Sequence, residues 1–266
     1  MNNKSTLYYD RIAEGYEDLQ YNSAHGRLAT ELIWSSVKRF LPEEKEALVL
    51  DAGGGTGFFA RRLARLGYRV VSTDIAKNVL EVAGTLANKE GLQSRIQFVF
   101  SDVTDMKEFE DNTFDFVTSN RSVVSYSLNP KRAIKELSRV AKKGAYVCID
   151  VHGFSGGGLK ALVAKRDFKG IERLARTHLV SDLYGGFGTY YFTADEIKGL
   201  FRENDLEVVD VSARSFVLAG YNDEERDKIL GDPETYRTVR RLELRFCHSP
   251  LFIGTGSIRI VGKKCR

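Results

Sequence analysis

The chain has 266 residues, with 40 Lys and Arg against 36 Asp and Glu, a net charge of +4, and 42% hydrophobic residues. That length can bury a full core, and the small net charge does not by itself argue for a nucleic-acid or membrane surface. No apolar run approaches the ~20 residues that cross a bilayer, and Met1–Thr6 is polar and lacks an apolar signal core, so a cytoplasmic protein is expected. Cys148, Cys247 and Cys265 have no close pairing, which gives neither a disulfide frame nor a cysteine metal site.

In chain order, residues 7–16 carry Tyr8, Ile12 and Tyr16 at i, i+4 and i+8, a short amphipathic helix. An edge helix and a lid are both open readings of it. A second helix is expected from about Ala24 to Phe40, stopped by Pro42. Leu48-Val49-Leu50 then runs into Asp51-Ala52-Gly53-Gly54-Gly55-Thr56-Gly57, followed by helical spacing through Arg65. This reads as strand, tight turn, helix. Glycines allow the turn and a close ligand approach, and the helix N-terminus favours polar or anionic groups. The turn is not a phosphate loop, because Phe58-Phe59 follows Gly57 in place of Lys-Ser or Lys-Thr. Nor is it the dinucleotide fingerprint, whose third glycine would fall on Phe58. Asp51 at the strand end repels a pyrophosphate and suits an ammonium.

Three further strands are expected to end in polar residues: Arg69–Asp74, Ile96–Val103 with Asp102, and Phe114–Asn120. Alternating strands and helices imply a parallel sheet with right-handed crossovers and ligands across the carboxyl ends of the strands. Asp51, Asp74, Asp102 and Asn120 thus converge on one site. A helix over 130–140, capped by Asn129 with Pro130 in its first turn, leads to a fifth strand over 145–151 that delivers His152.

Residues 153–192 change character. Gly156–Gly158 and Gly185-Gly186-Phe187-Gly188 read as hinges, 159–179 as helical, and Phe168, Tyr184, Tyr190, Tyr191 and Phe192 as aromatics able to cover a ligand. A mobile cap standing off the sheet is expected; an edge-thickening helical insertion is the alternative. A capping box at Thr193–Glu196, a strand over 206–211, a helix from Asp232 to about Phe246 and a last strand over 257–262 complete the chain.

The D-x-G-x-G-x-G turn, the strand-end acids and Leu137–Ala145 together resemble the Rossmann-like (class I) S-adenosylmethionine-dependent methyltransferases. Residues 137–145 resemble that family's "RVLKPGG" turn, with Lys143 in place of proline and Ala145 in place of the second glycine. The resemblance is strong over residues 8–150. It implies an α/β three-layer sandwich, a seven-stranded mostly parallel sheet of order 3-2-1-4-5-7-6 with the last strand antiparallel. It also implies one methyltransferase domain over 1–266, divided into an N-terminal helical lid (1–42), a cofactor-binding core (43–152), a substrate cap (153–192) and a C-terminal part of the sheet (193–266).

The cofactor implied is S-adenosylmethionine, with S-adenosylhomocysteine as product. Its site would comprise Tyr16, Asp51, Gly53, Gly55, Gly57, Asp74, Ile75, Asp102, Val103 and Asn120. By the resemblance, Asp74 holds the ribose hydroxyls, Asp102 meets the adenine amino group, and Tyr16 lies near the methionine end. His152 is the candidate general base, with a structural histidine as the alternative. His25, His178 and His248 lack metal-ligand spacing, and no metal is expected. Ser119-Asn120-Arg121-Ser122 replaces the Asn/Asp-Pro-Pro-aromatic motif of exocyclic-amine methylases, which argues against a DNA acceptor. A small-molecule acceptor is expected, on a monomer or homodimer without a membrane partner. A protein or tRNA acceptor, or a non-enzymatic cofactor-binding regulator, is the alternative.

Overall fold

The computed structural model describes residues 3–184 and 187–265. Met1 and Asn2 of the polar N-terminus, and Gly185 and Gly186 of the second expected hinge, lie outside the described residues. The chain opens with α1 (Asn3–Ile12), a 3-10 turn over 13–15, a π turn over 18–22, and α2 (Ala24–Phe40), which Ser23 caps through Gly26 N. The helix expected over 7–16 therefore starts earlier and breaks after Ile12. Tyr16 leaves the face of Tyr8 and packs edge-on against Tyr9 and Tyr21.

The core alternates as expected through β1 (Leu48–Ala52), α3 (Phe58–Arg65), β2 (Arg69–Asp74), α4 (Lys77–Lys89), β3 (Ile96–Phe100), β4 (Phe114–Ser119), the short α5 (Val123–Tyr126), α6 (Pro130–Val140) and β5 (Ala141–Gly153). β5 starts directly at the end of α6. The turn expected at 137–145 is a bulge, with Gly144 at φ 83° where the pairing to β4 slips.

The chain continues with α7 (Gly157–Ala164), α8 (Phe168–Thr177), β6 (Leu179–Tyr184), β7 (Phe187–Phe192), α9 (Ala194–Glu203), β8 (Leu206–Arg214), α10 (Asp223–Leu230), α11 (Pro233–Phe246) and β9 (Ser257–Lys264). Strands β1 to β5 pair in parallel in the order β3-β2-β1-β4-β5. β9 runs antiparallel between β5 and β8. Counting only these seven strands in chain order gives 3-2-1-4-5-7-6, the expected order with its antiparallel last strand.

The insertion departs from its expected form in two ways. Arg166, at φ 55°, breaks the helix expected over 159–179, and Asp167 caps the second piece through Gly170 N. The segment also does not stand wholly off the sheet. β7 pairs in parallel with β5 at His152↔Tyr191 and Gly153↔Phe192, and β6 pairs antiparallel with β7. Phe187, Thr189 and Tyr191 alternate as buried residues along β7, so glycine and aromatic content conceals a half-buried strand.

The sheet is covered on both faces. One layer packs Phe114, Ile134, Leu137, Ile149 and Phe201, and the other packs Ile33, Val37, Val49, Phe59 and Phe116. Burial on both faces explains why the central strands read as continuous apolar runs.

Candidate active site

The β1–α3 turn is built to expose backbone. Gly53 and Gly55 have φ +71° and +58°, and a Cβ on Gly53 would stand 2.5 Å from Val123 Cγ2. Gly54 N donates to Thr73 O at 2.8 Å, and a Cβ there would meet Ser72 Oγ at 2.2 Å. The turn thus needs Gly54 too, which sequence reasoning passed over. Gly57, at φ +75°, caps α3, and a Cβ would fall 2.9 Å from Phe98 Cε1. Its place is behind the turn, where it lets helix and strand close up.

A solvent-connected cavity lies over the carboxyl ends of the strands. Asp51, Gly53, Gly55, Asp74 and Ile75 line it, together with Asp102, Val103, Asn120 and Tyr16. Every residue expected for the cofactor except Gly57 therefore meets in one place. Asp51 is 1% exposed and its Oδ2 has no hydrogen-bond partner. Burial, and then the charge of Asp74, push its carboxyl up to about 7. A buried carboxylate with an unpartnered oxygen is stabilised by an approaching cation. Asp74 accepts from Gly55 N and Ala76 N, both at 3.0 Å. Burial pushes Asp74 above the usual carboxylate range despite those bonds. Asp102 Oδ1 accepts from Thr104 N and Oγ1 at 2.8 Å, which fixes the carboxylate at the cavity edge. Asn120 Nδ2 is buried without a partner.

The N-terminal segment closes this cavity. Tyr16 lies at its wall, and burial pushes its phenol up to about 12, against the opposing pull of Arg121. Glu17 ties the segment down: its carboxylate accepts from Thr56 Oγ1 and from Arg61 Nη2, both at 2.8 Å. Arg61 is itself buried and donates to Thr56 O and Glu90.

His152 lies outside the first cavity. It lines a second one, which shares Tyr9, Tyr16, Arg121 and Tyr126 with the first. Its Nε2 is 2.9 Å from Tyr126 Oη, and its backbone N donates to Ser125 Oγ. Burial, and then the Arg214 charge, push the imidazole down to about 4, so it is neutral at neutral pH. Sequence reasoning missed Arg121, Tyr126 and Arg214 here. An Arg directly after the strand-end Asn120 was the one local signal. Among the described residues no group of three or more His, Cys, Asp or Glu is placed to hold a metal ion. No helix of the described residues is long and apolar enough to cross a membrane.

Residues 50–149 match the family model of the methyltransferase domain. Those residues carry a methyltransferase domain, and the chain is similar to S-adenosylmethionine-dependent methyltransferases. It is 25% identical over 158 residues to the tRNA 5-carboxymethoxyuridine methyltransferase of Escherichia coli, covering 59% of this chain and 60% of that one. It is 29% identical over 175 residues to the ubiquinone/menaquinone biosynthesis C-methyltransferase of Bradyrhizobium, covering 63% and 65%. The chain thus spans about 60% of the length of curated relatives it matches. In fold it is similar to an S-adenosylmethionine-dependent methyltransferase of Methanosarcina mazei, with a TM-score of 0.61, 20% identity, and coverage of 86% and 97%. It is also similar to Haemonchus contortus phosphoethanolamine N-methyltransferase 2 in complex with S-adenosylmethionine, with a TM-score of 0.60, 21% identity, and coverage of 96% and 60%.

Proposed function

We propose that this methyltransferase moves the methyl group of S-adenosylmethionine to an oxygen, nitrogen or carbon of a small-molecule acceptor. The observation that carries the reading is the pair of adjoining cavities. One is lined by the glycine turn and three strand-end acids. The other is lined by tyrosines and His152, and the two meet at Tyr9, Tyr16, Arg121 and Tyr126.

The residues of the first cavity fit the cofactor. Asp51, buried with an unpartnered oxygen, suits the ammonium; Asp74 suits the ribose hydroxyls, Asp102 the adenine amino group, and Asn120 the cofactor side of the junction. When bound, S-adenosylmethionine supplies an electrophilic methyl, so the chain must bind, align and exclude water. Tyr16, pinned through Glu17, forms the wall that keeps water out.

In the second cavity His152 is a neutral imidazole at neutral pH with Nε2 2.9 Å from Tyr126 Oη, and its low proton affinity suits an acidic nucleophile only. Residues 153–192 serve as the acceptor cap. Phe187 of β7 meets the rings of Tyr8, Tyr9 and Tyr126 at 5.4–6.0 Å, and Tyr191 lies 5.5 Å from His152. The insertion thus joins the N-terminal lid over the acceptor cavity. Enclosure by these rings favours a small acceptor over a tRNA or protein.

The test is calorimetry with S-adenosylhomocysteine and NAD, followed by transfer of labelled methyl to an acceptor library. S-adenosylhomocysteine binds and NAD does not. Binding of NAD without S-adenosylhomocysteine would overturn the reading.

A further inference from the structure

The second cavity carries more positive charge than its own carboxylates neutralise. Three arginines surround Asp150 at the end of β5. Arg214 Nη2 donates to Asp150 Oδ2 at 2.6 Å, Arg259 Nη1 donates to Oδ1 at 3.3 Å, and Arg121 donates only its backbone N, at 2.9 Å. The guanidinium of Arg121 forms no ion pair among the described residues. It donates to Gln20 O and Thr30 Oγ1 and lies 4.9 Å over the Tyr21 ring. Its Nε is buried without a partner. Arg214 is 7% exposed, and its Nε likewise has no partner. Glu243, the other acid facing Arg214, is engaged by Val217 N, and burial pushes it up to about 7.

Elsewhere along the same cavity Arg226 is already paired with Asp223 at 3.1 Å, and His25 Nδ1 lies 3.0 Å from Asp227 Oδ2. The cation without an ion pair among the described residues therefore lies inside, at Arg121, where the second cavity meets the first, while Arg214, paired with Asp150, lines the second cavity alone. The backbone is strained to put Arg121 there: Arg121 and Ser122 both have φ 62°, two successive side-chain-bearing residues in the left-handed region. Such strain gathers at sites where the surrounding structure enforces a conformation. Asp150 enforces it, by accepting from Arg121 N and Ser122 Oγ.

We infer that the second cavity takes a carboxylate-bearing acceptor, with Arg121 and Arg214 as the cations that receive the carboxylate. This rests on the methyltransferase reading above. Guanidinium groups match the planar, two-oxygen shape of a carboxylate, and a desolvated one is worth more than a surface one. The nucleophile then needs no base. The carboxylate oxygen forms the new O–C bond, the methyl–sulfur bond breaks with its electron pair going to sulfur, and no proton leaves. The products are a methyl ester and a neutral thioether. The poor basicity of His152 and the high-lying phenols of Tyr9 and Tyr16 fit an acceptor that arrives already ionised.

The test uses the full chain saturated with S-adenosylhomocysteine, titrated calorimetrically with acid and amide pairs: benzoate against benzamide, phenylacetate against phenylacetamide. At least one acid binds about tenfold or more tighter than its amide, and its affinity falls as sodium chloride is raised. Arg121→Gln brings acid and amide together, and Arg121→Lys keeps part of the preference. Equal affinity for every pair overturns the inference, as does the absence of any acid binding, or a preference that survives Arg121→Gln. A loss confined to S-adenosylhomocysteine affinity in Arg121→Gln would assign Arg121 to the cofactor's own carboxylate and also overturns it. Should Arg121→Gln fail to fold, the acid–amide comparison on the unaltered chain decides alone. Failure of S-adenosylhomocysteine itself to bind would instead undo the methyltransferase reading.

Discussion

Replacing Asp150 by Asn tests whether one buried carboxylate holds together the end of β5, the Arg121–Ser122 turn and β9. Asp150 is fully buried, and Arg214 and Arg259 are 7% and 2% exposed. Asn keeps the volume and one accepting oxygen but removes the charge paired with both arginines. Removing one partner of a buried pair costs about 3–5 kcal/mol, and the retained oxygen points to the lower end, about 3 kcal/mol. For a chain of this size each kcal/mol moves Tm by about 2 °C, so Tm falls by about 6 °C at neutral pH. Circular-dichroism melts and urea titrations of both proteins measure it. The comparison variant is Asp115→Asn, whose partner Lys142 is 45% exposed at 2.7 Å and whose loss should cost under about 1 kcal/mol. The acid limb has a definite sign. Burial alone would raise the Asp150 carboxyl, but Arg214 and Arg259 outweigh it and hold it below its ordinary value. Its contribution is therefore complete above the unfolded carboxyl value, near pH 4, and fades as pH falls through the lower folded value. The gap between the two proteins should stay constant from neutrality to about pH 4 and close only below it. A Tm within about 1 °C of the unaltered chain, or a gap closing already near pH 6, would refute the reasoning.

Four further outcomes are expected. Asp74→Ala weakens S-adenosylhomocysteine binding by about 1–3 kcal/mol by calorimetry, the cost of leaving buried hydroxyls unpaired, whereas an unchanged affinity removes Asp74 from the site. Gly53→Ala, at φ +71° with a Cβ 2.5 Å from Val123, lowers urea stability by about 1–3 kcal/mol and weakens the same binding at least tenfold or so. Because Asp51 sits near 7 and an incoming ammonium favours its charged form, ligand binding at pH 7 releases about half a proton and tightens as pH rises through 7; calorimetry in buffers of different ionisation enthalpy reads this, and zero release counts against an Asp51–ammonium pair. Filling both cavities slows hydrogen exchange across 187–192, where Phe187 meets Tyr8, Tyr9 and Tyr126, and equal exchange in both states would make the insertion scaffold.

What the sequence disclosed and what it hid divide along chain separation. Gly53, Gly55 and Asp51 were legible because a strand–turn–helix constrains residue type over a few positions: positive φ demands glycine, and the strand end places its acid. The order of the seven strands came from the family resemblance and not from the residues themselves. β7 was hidden because Gly188 and the aromatic run mimic a hinge, and only its contact with β5, some forty residues earlier, shows which of its side chains are buried. Gly54 was passed over because its constraint comes from Ser72 on the neighbouring strand. The second cavity lies at the far end of this scale. Asp150 reaches Arg121, Arg214 and Arg259 across 29, 64 and 109 positions, and no local pattern marks such a set. A turn that approaches a cofactor needs particular backbone angles, so it writes itself into neighbouring residues. A side-chain-lined pocket needs only groups brought together by the completed fold, and here β5, β8, β9 and the residues just after β4 each supply part of the second cavity. Exchanging Arg121 or Arg214 therefore leaves the glycine turn and the strand-end acids intact while changing the charge that lines the second cavity.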